Sequence, residues 1–116
     1  MKILICGDRN WRNRASIKRE LLRFDPTTDI VIHGAARGAD SIAGDIAMLR
    51  GFPVQSFPAK WDEYGRAAGP IRNKLMLDQK PDLVVAFHPN ISISKGTGNM
   101  VKIARAAGVP VEVFTE

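Results

Sequence analysis

Three stretches of the chain, residues 3–6, 30–32 and 83–87, are apolar without interruption. An uninterrupted run, as opposed to one that alternates with polar residues, is what a strand buried on both faces of a parallel sheet requires. Weaker runs at 54–57 and 109–114 read as two further strands. The intervening segments carry helical spacing instead. Ile17, Leu21 and Phe24 recur at intervals of four and three; Ala39, Ile42, Ala43, Ile46 and Ala47 mark one face of a second helix; Met100, Ile103, Ala104 and Ala107 mark a face of the last. A third helix starts near Pro70, because a missing N–H costs nothing in a first helical turn. Gly51 and Gly108 stand where a left-handed residue closes a helix, with Pro53 and Pro110 just beyond.

Strands alternating with helices through short connections imply parallel strands joined by right-handed crossovers. The fold class is therefore α/β, three layers, with a five-stranded parallel sheet in the order 3-2-1-4-5. In that order every loop that follows a strand lies along the carboxyl edge, and a ligand is expected in the crevice between strands 1 and 4. Residues 1–116 are expected to form one domain; at this length roughly two-thirds of the extended chain's surface is buried, enough for a single core.

The composition, 45% hydrophobic and 25% charged, is that of a folded domain and argues against disorder. A single cysteine, Cys6, excludes a disulfide framework and a multi-cysteine zinc site and fits a reducing, cytoplasmic setting. No apolar stretch approaches the roughly 20 residues that cross a bilayer, and the first residues are too short for a signal sequence, so neither secretion nor membrane insertion is expected. The net charge of +5 is concentrated near the start, in Lys2, Arg9, Arg12, Arg14, Lys18, Arg19 and Arg23 against Asp8 and Glu20. Such a segment could face a phosphate or a nucleic acid, or simply water.

Candidate chemistry lies in the loops after the strands. The first holds Gly7, Asp8, Arg9, Asn10 and Trp11: a close backbone approach, a guanidinium and an indole, the last of which could instead pack on the first helix. The second runs from His33 through Gly34, Ala35, Ala36, Arg37, Gly38 and Ala39 to Asp40. Small residues at a helix N-terminus let N–H groups turn toward an anion, and Arg37 adds a fork; the same residues would also make a tight turn capped by Asp40. This is neither G-x-G-x-x-G nor a P-loop, so the kinase and ATPase readings lose their support. The loop after the fourth strand, with Ser94, Lys95, Gly96 and Thr97, is a second glycine-containing turn into a helix. Residues 57–73, dense in Trp, Tyr, Arg and Gly, are long for a loop and read as a lid, with Trp61 in it and Arg72 and Asn73 at its end. His33 and His88 lack the spacing of a metal site, and no G-x-S-x-G surrounds a serine.

These motifs in this order (7–11, 33–40, 57–61, 69–73 and 94–97) resemble the SLOG superfamily, which joins SMF/DprA and LOG proteins, and in particular its small stand-alone YspA-like branch. The resemblance covers nearly the whole chain. It implies a Rossmann-like domain, cytoplasmic and often self-associating as a homodimer. It also implies a phosphorylated ligand, a nucleotide or one of NAD or ADP-ribose type, with no resident cofactor required. LOG enzymes release ribose 5-phosphate from nucleotides and carry M-x-x-R-K and P-G-G-x-G-T-x-x-E. The first resembles Gly69 to Asn73, with Arg72 on the catalytic arginine and Asn73 on the lysine; the second resembles Ser94 to Thr97, but its glutamate falls on Met100. A thioether is neither acid nor base, so a carboxylate would have to come from elsewhere, with Asp8 and Asp40 as candidates.

The leading expectation is thus a binding site for a nucleotide-type ligand. Its phosphates lie against residues 34–40 and 95–98, Arg37 and Arg72 clamp them, and Arg9 with Trp11 or Trp61 flanks the base or ribose. One alternative is an N-glycosidase using Arg72 and Asp40. The other is single-stranded DNA binding through the basic helix, which lacks an aromatic platform.

Overall fold

The computed structural model describes residues 1–116. Five parallel strands, β1 (Lys2–Gly7), β2 (Ile30–His33), β3 (Val54–Ser56), β4 (Leu83–Phe87) and β5 (Val111–Phe114), pair in the order β3-β2-β1-β4-β5. This is the α/β Rossmann-like arrangement expected from the pattern. Alternate residues of the central strands serve opposite layers. Ile3 and Ile5 of β1 and Val85 and Phe87 of β4 pack under α1 (Arg14–Leu21) and α2 (Ala39–Leu49). Leu4, Cys6, Val84 and Ala86 pack under α4 (Ala68–Asp78) and α5 (Gly96–Ala106). Both faces of β1 and β4 are therefore dry, which is why their apolar runs are unbroken; each buried Ile, Leu, Val or Phe among them contributes roughly 1.5–3 kcal/mol by leaving water.

Helices α2 and α5 end as the glycines indicated. Gly51 and Gly108 have φ of +84° and +78°. The N–H groups of Phe52 and Val109 reach back to the carbonyls of Ala47 and Ala104, both at 2.9 Å, closing each helix with a left-handed residue at no steric penalty. Two expectations are corrected. Phe24 lies beyond the end of α1, half-buried against the core rather than on a helical turn. The segment 57–73 is mostly helical: α3 (Trp61–Tyr64), a 3-10 turn (Gly65–Ala67) and then α4. Asp62 and Glu63 suit the first turn of α3 through its dipole. Pro70 is still within the first turn of α4, where no intrahelical N–H is needed.

Candidate ligand-binding cleft

The loops that follow β1, β2 and β4 meet at the carboxyl edge of the sheet and enclose a cleft of about 410 Å³. Gly7, Asp8, Arg9, Arg37, Asp40, Arg72, Asn73, Ser94, Lys95, Gly96 and Thr97 all line it, over Cys6, Met76 and Met100. A second lobe, about 720 Å³, adjoins it and shares Arg9, Ala36, Arg37 and Arg72; Gly34, Pro58, Ala59 and Trp61 complete its wall.

The β2–α2 turn is built around Gly34. Its N–H donates to Asp40 Oδ2 at 3.0 Å, and the N–H of Ala36 reaches the same oxygen at 3.4 Å. The N–H of Ala35 donates to His33 Nδ1 at 2.9 Å. The expected anion cradle is thus already filled by a carboxylate of the chain itself, and the N–H groups of residues 34–36 are not open to a ligand phosphate. Asp40 is buried, and loss of water raises its pKa from 3.8 to about 6; Arg72 and the two N–H groups oppose that rise. Burial likewise lowers the pKa of Arg72 below its ordinary value, against the attraction of Asp40. No ion pair closes between the two, so desolvation prevails for both partners.

Arg72 and Asn73 act as ties within the protein. Arg72 Nη1 donates to the Gly34 carbonyl and, at 3.4 Å, to that of Phe57, and Nε donates to Asn73 Oδ1 at 3.0 Å. Asn73 Nδ2 donates to the Gly96 carbonyl at 3.2 Å and to Asn99 Oδ1 at 3.0 Å. One arginine thereby holds the β2 turn to α4, and its neighbour holds α4 to the start of α5. The role expected for Arg72 as a phosphate clamp is limited accordingly, and so is a ligand contact by Asn73, although both border the cleft.

Of the cations on this cleft, Arg72 is taken up by carbonyl groups, whereas the side chains of Arg9, Arg37 and Lys95 make no ion pair or hydrogen bond within the chain; all three are exposed and on the rim. Next to Lys95, the N–H groups of Gly96 and Thr97 at the start of α5 make no hydrogen bond within the chain, whereas that of Gly98 is capped by Ser94 Oγ at 3.1 Å. Unpaired donors at a helix N-terminus favour an anion. The Arg9 guanidinium lies over the Trp61 ring, 5.7 Å from its centroid.

Trp11 is not brought to the cleft. Its ring packs on Phe87 with centroids 5.6 Å apart, and Nε1 donates to the Asn13 carbonyl at 3.1 Å; its large apolar surface is better buried under α1 than left in a loop. Gly38 also stands back from the cleft, against the backbone of Asp8 and Arg9. Met100, on the position of the LOG glutamate, is buried among Leu4, Cys6 and Met76. His88, considered in the sequence only as a metal ligand, lines the cleft, with Nδ1 accepting from the N–H of Asn90 at 2.9 Å. Pro58 and Ala59 were legible only as part of a composition-rich segment. Of the basic residues near the start of the chain, Arg19 and Arg23 are engaged with Glu20, and Arg23 also with Glu112.

Strand order and cleft position together define an α/β Rossmann-like fold with its crevice at the topological switch point. The YAcAr family, described as the YspA, cpYpsA-related SLOG family, matches residues 1–64. The Gene 61 protein of Mycobacterium phage D29 is 36% identical over 121 aligned positions, which cover 97% of this chain and 95% of that protein. The chain belongs to the YspA, cpYpsA-related SLOG family. Its fold is also similar to DNA processing protein A from Helicobacter pylori, whose structure was described for its single-stranded DNA binding mode. The TM-score is 0.68 at 17% identity over 97% of this chain, and the chain spans 64% of that protein. No helix is long and apolar enough to cross a membrane.

Proposed function

We propose that this chain binds a nucleotide-type phosphorylated ligand, its phosphate seated in the first lobe between the start of α5 and the Arg9–Arg37 rim. The observation that carries the reading is convergence. Arg9 and Arg37, from two loops, and Lys95 with the two unpaired N–H groups of Gly96 and Thr97, from a third, line one cleft. The carboxylates on the same wall, Asp8 and Asp40, are already hydrogen-bonded to backbone N–H groups. A thermal-shift series with AMP, ADP, NAD and pyrophosphate tests it. At 100 times its dissociation constant a ligand stabilises the fold by about 2.7 kcal/mol. Arg37→Ala, a change at an exposed residue, should remove most of the shift. No shift with any of the four would overturn the reading.

Asp40 supports a second reading, hydrolysis of an N-glycosidic bond. A carboxyl whose pKa is raised to about 6 is poised to donate a proton near neutrality, and Asp40 Oδ1 has no partner in the chain. In that scheme Arg72 positions the turn that carries Asp40. Incubation with nucleoside monophosphates and NAD, followed by chromatography, would release free base; intact substrate after prolonged incubation rejects it. An oligonucleotide belongs in the same panel, since Arg12 and Arg14 share a groove with Arg9 and Arg37; binding along it would fall steeply with salt.

A further inference from the structure

We infer that the second lobe is a ring-stacking subsite: Trp61 takes the base of the ligand whose phosphate occupies the first lobe, in the place that the Arg9 guanidinium now holds. The inference rests on the reading above and extends it from a phosphate site to a two-part site.

The two lobes differ in chemistry. The first presents unpaired N–H groups and a lysine. The second has a wall of Pro58, Ala59 and Trp61, and the backbone N–H groups beside it, of Gly34, Ala35 and Ala36, are already bonded to Asp40 and His33. Away from the arginines it shares with the first lobe, it therefore offers a flat apolar surface without free backbone donors, the environment of a planar ring rather than of an anion. The guanidinium groups common to both lobes stand where they join, so a ligand reaching from one to the other passes its charged portion beside them.

Trp61 itself is the second observation. Of the two tryptophans, Trp11 is 7% exposed and is held in the core, whereas Trp61 is 47% exposed. Its indole lies over Gly69, where an added Cβ would come within 3.3 Å of the ring, and it carries the Arg9 guanidinium on a face. A guanidinium over an indole is a planar cation on a π surface, which a nucleobase can replace. Arg9 borders both lobes, so on giving up the indole its side chain can turn to the phosphate. With the backbone groups of residues 34–36 occupied, recognition rests on stacking rather than on base edges. The subsite should thus favour large rings while distinguishing adenine poorly from guanine.

The test compares ligands with and without a base: AMP, GMP, UMP, ribose 5-phosphate and pyrophosphate, titrated calorimetrically into the full chain and into Trp61→Leu and Trp61→Phe. AMP and GMP should bind about tenfold more tightly than ribose 5-phosphate, a typical stacking contribution, with UMP between. Trp61→Leu should bring AMP down to the level of ribose 5-phosphate and leave pyrophosphate unchanged, while Trp61→Phe, which keeps a ring, should retain most of the preference. GMP should quench the tryptophan fluorescence of the wild type but not that of Trp61→Leu, where only the buried Trp11 remains. Equal binding of AMP and ribose 5-phosphate, or a Trp61→Leu loss that is the same for every compound, overturns the subsite and leaves the phosphate site standing. Failure of all five compounds to bind the wild type overturns both.

Discussion

Gly34 has one polar group held from each side, its N–H by Asp40 and its carbonyl by Arg72. A side chain there would meet both: an added Cβ would lie 2.7 Å from the Arg72 guanidinium carbon and 2.9 Å from Asp40 Oδ2. Gly34→Ala should therefore destabilise the fold by about 1–3 kcal/mol in urea denaturation, as overpacking commonly does; a neutral result would show that the two side chains are free to move. Asp40 gives a prediction with a sign. Its folded pKa of about 6 exceeds the free value of 3.8, so the native state holds the proton more tightly. The stability this confers is complete below pH 4 and is lost as pH rises through 6, where the buried charge costs about 3 kcal/mol. Asp40→Asn keeps an acceptor without the charge. Its stability relative to wild type should rise from pH 4 to pH 8, and a difference constant across that range would contradict the burial argument. The glycine-rich turn was legible as an anion cradle. That Asp40 itself fills it was not, because the sequence gives the turn and the carboxylate but not their contact.

Among the elements, the coupling between α4 and α5 depends on Asn73, a buried amide with partners on both the backbone and a side chain of α5. Asn73→Leu removes those bonds and leaves the Arg72 Nε without its acceptor, which should cost roughly 1–3 kcal/mol. It should also speed amide hydrogen exchange at residues 96–99 more than in the centre of the sheet; uniform acceleration would mean that Asn73 supports the core generally. The strands and α2 were readable because their apolar positions recur over a full burial face and end at glycines. The helical turn at residues 61–64 is not legible in the sequence because α3 has only four residues, too short for a periodic signal, and Trp, Tyr and Gly dominate its neighbourhood. Asp62 and Glu63 were its one physical mark of a helix start.

For the molecule as a whole, topology does what no local motif could. Arg9, Arg37 and Lys95 are far apart in sequence, yet the order β3-β2-β1-β4-β5 brings their loops to one edge on either side of β1. That convergence follows from the alternation of strands and helices, so the meeting of these loops in one cleft was legible. The fate of individual charges was not. The excess near the start of the chain read as a basic helix, but Arg23 clasps α1 to β5 through Glu112, at 2.7 and 3.1 Å, while Arg9, Arg37 and Lys95, the free cations of the cleft, sit in loops. Pairing of that kind depends on which helix lies over which strand edge.

If an anion is received at the start of α5 and not in the β2–α2 turn, backbone amide resonances followed during titration with AMP report on both places at once. Gly96 and Thr97 should then show saturable shifts with little change at Gly34 and Ala36, whose N–H groups stay on Asp40. Shifts confined to Gly34 and Ala36, or none at residues 96 and 97 at saturating AMP, would contradict it.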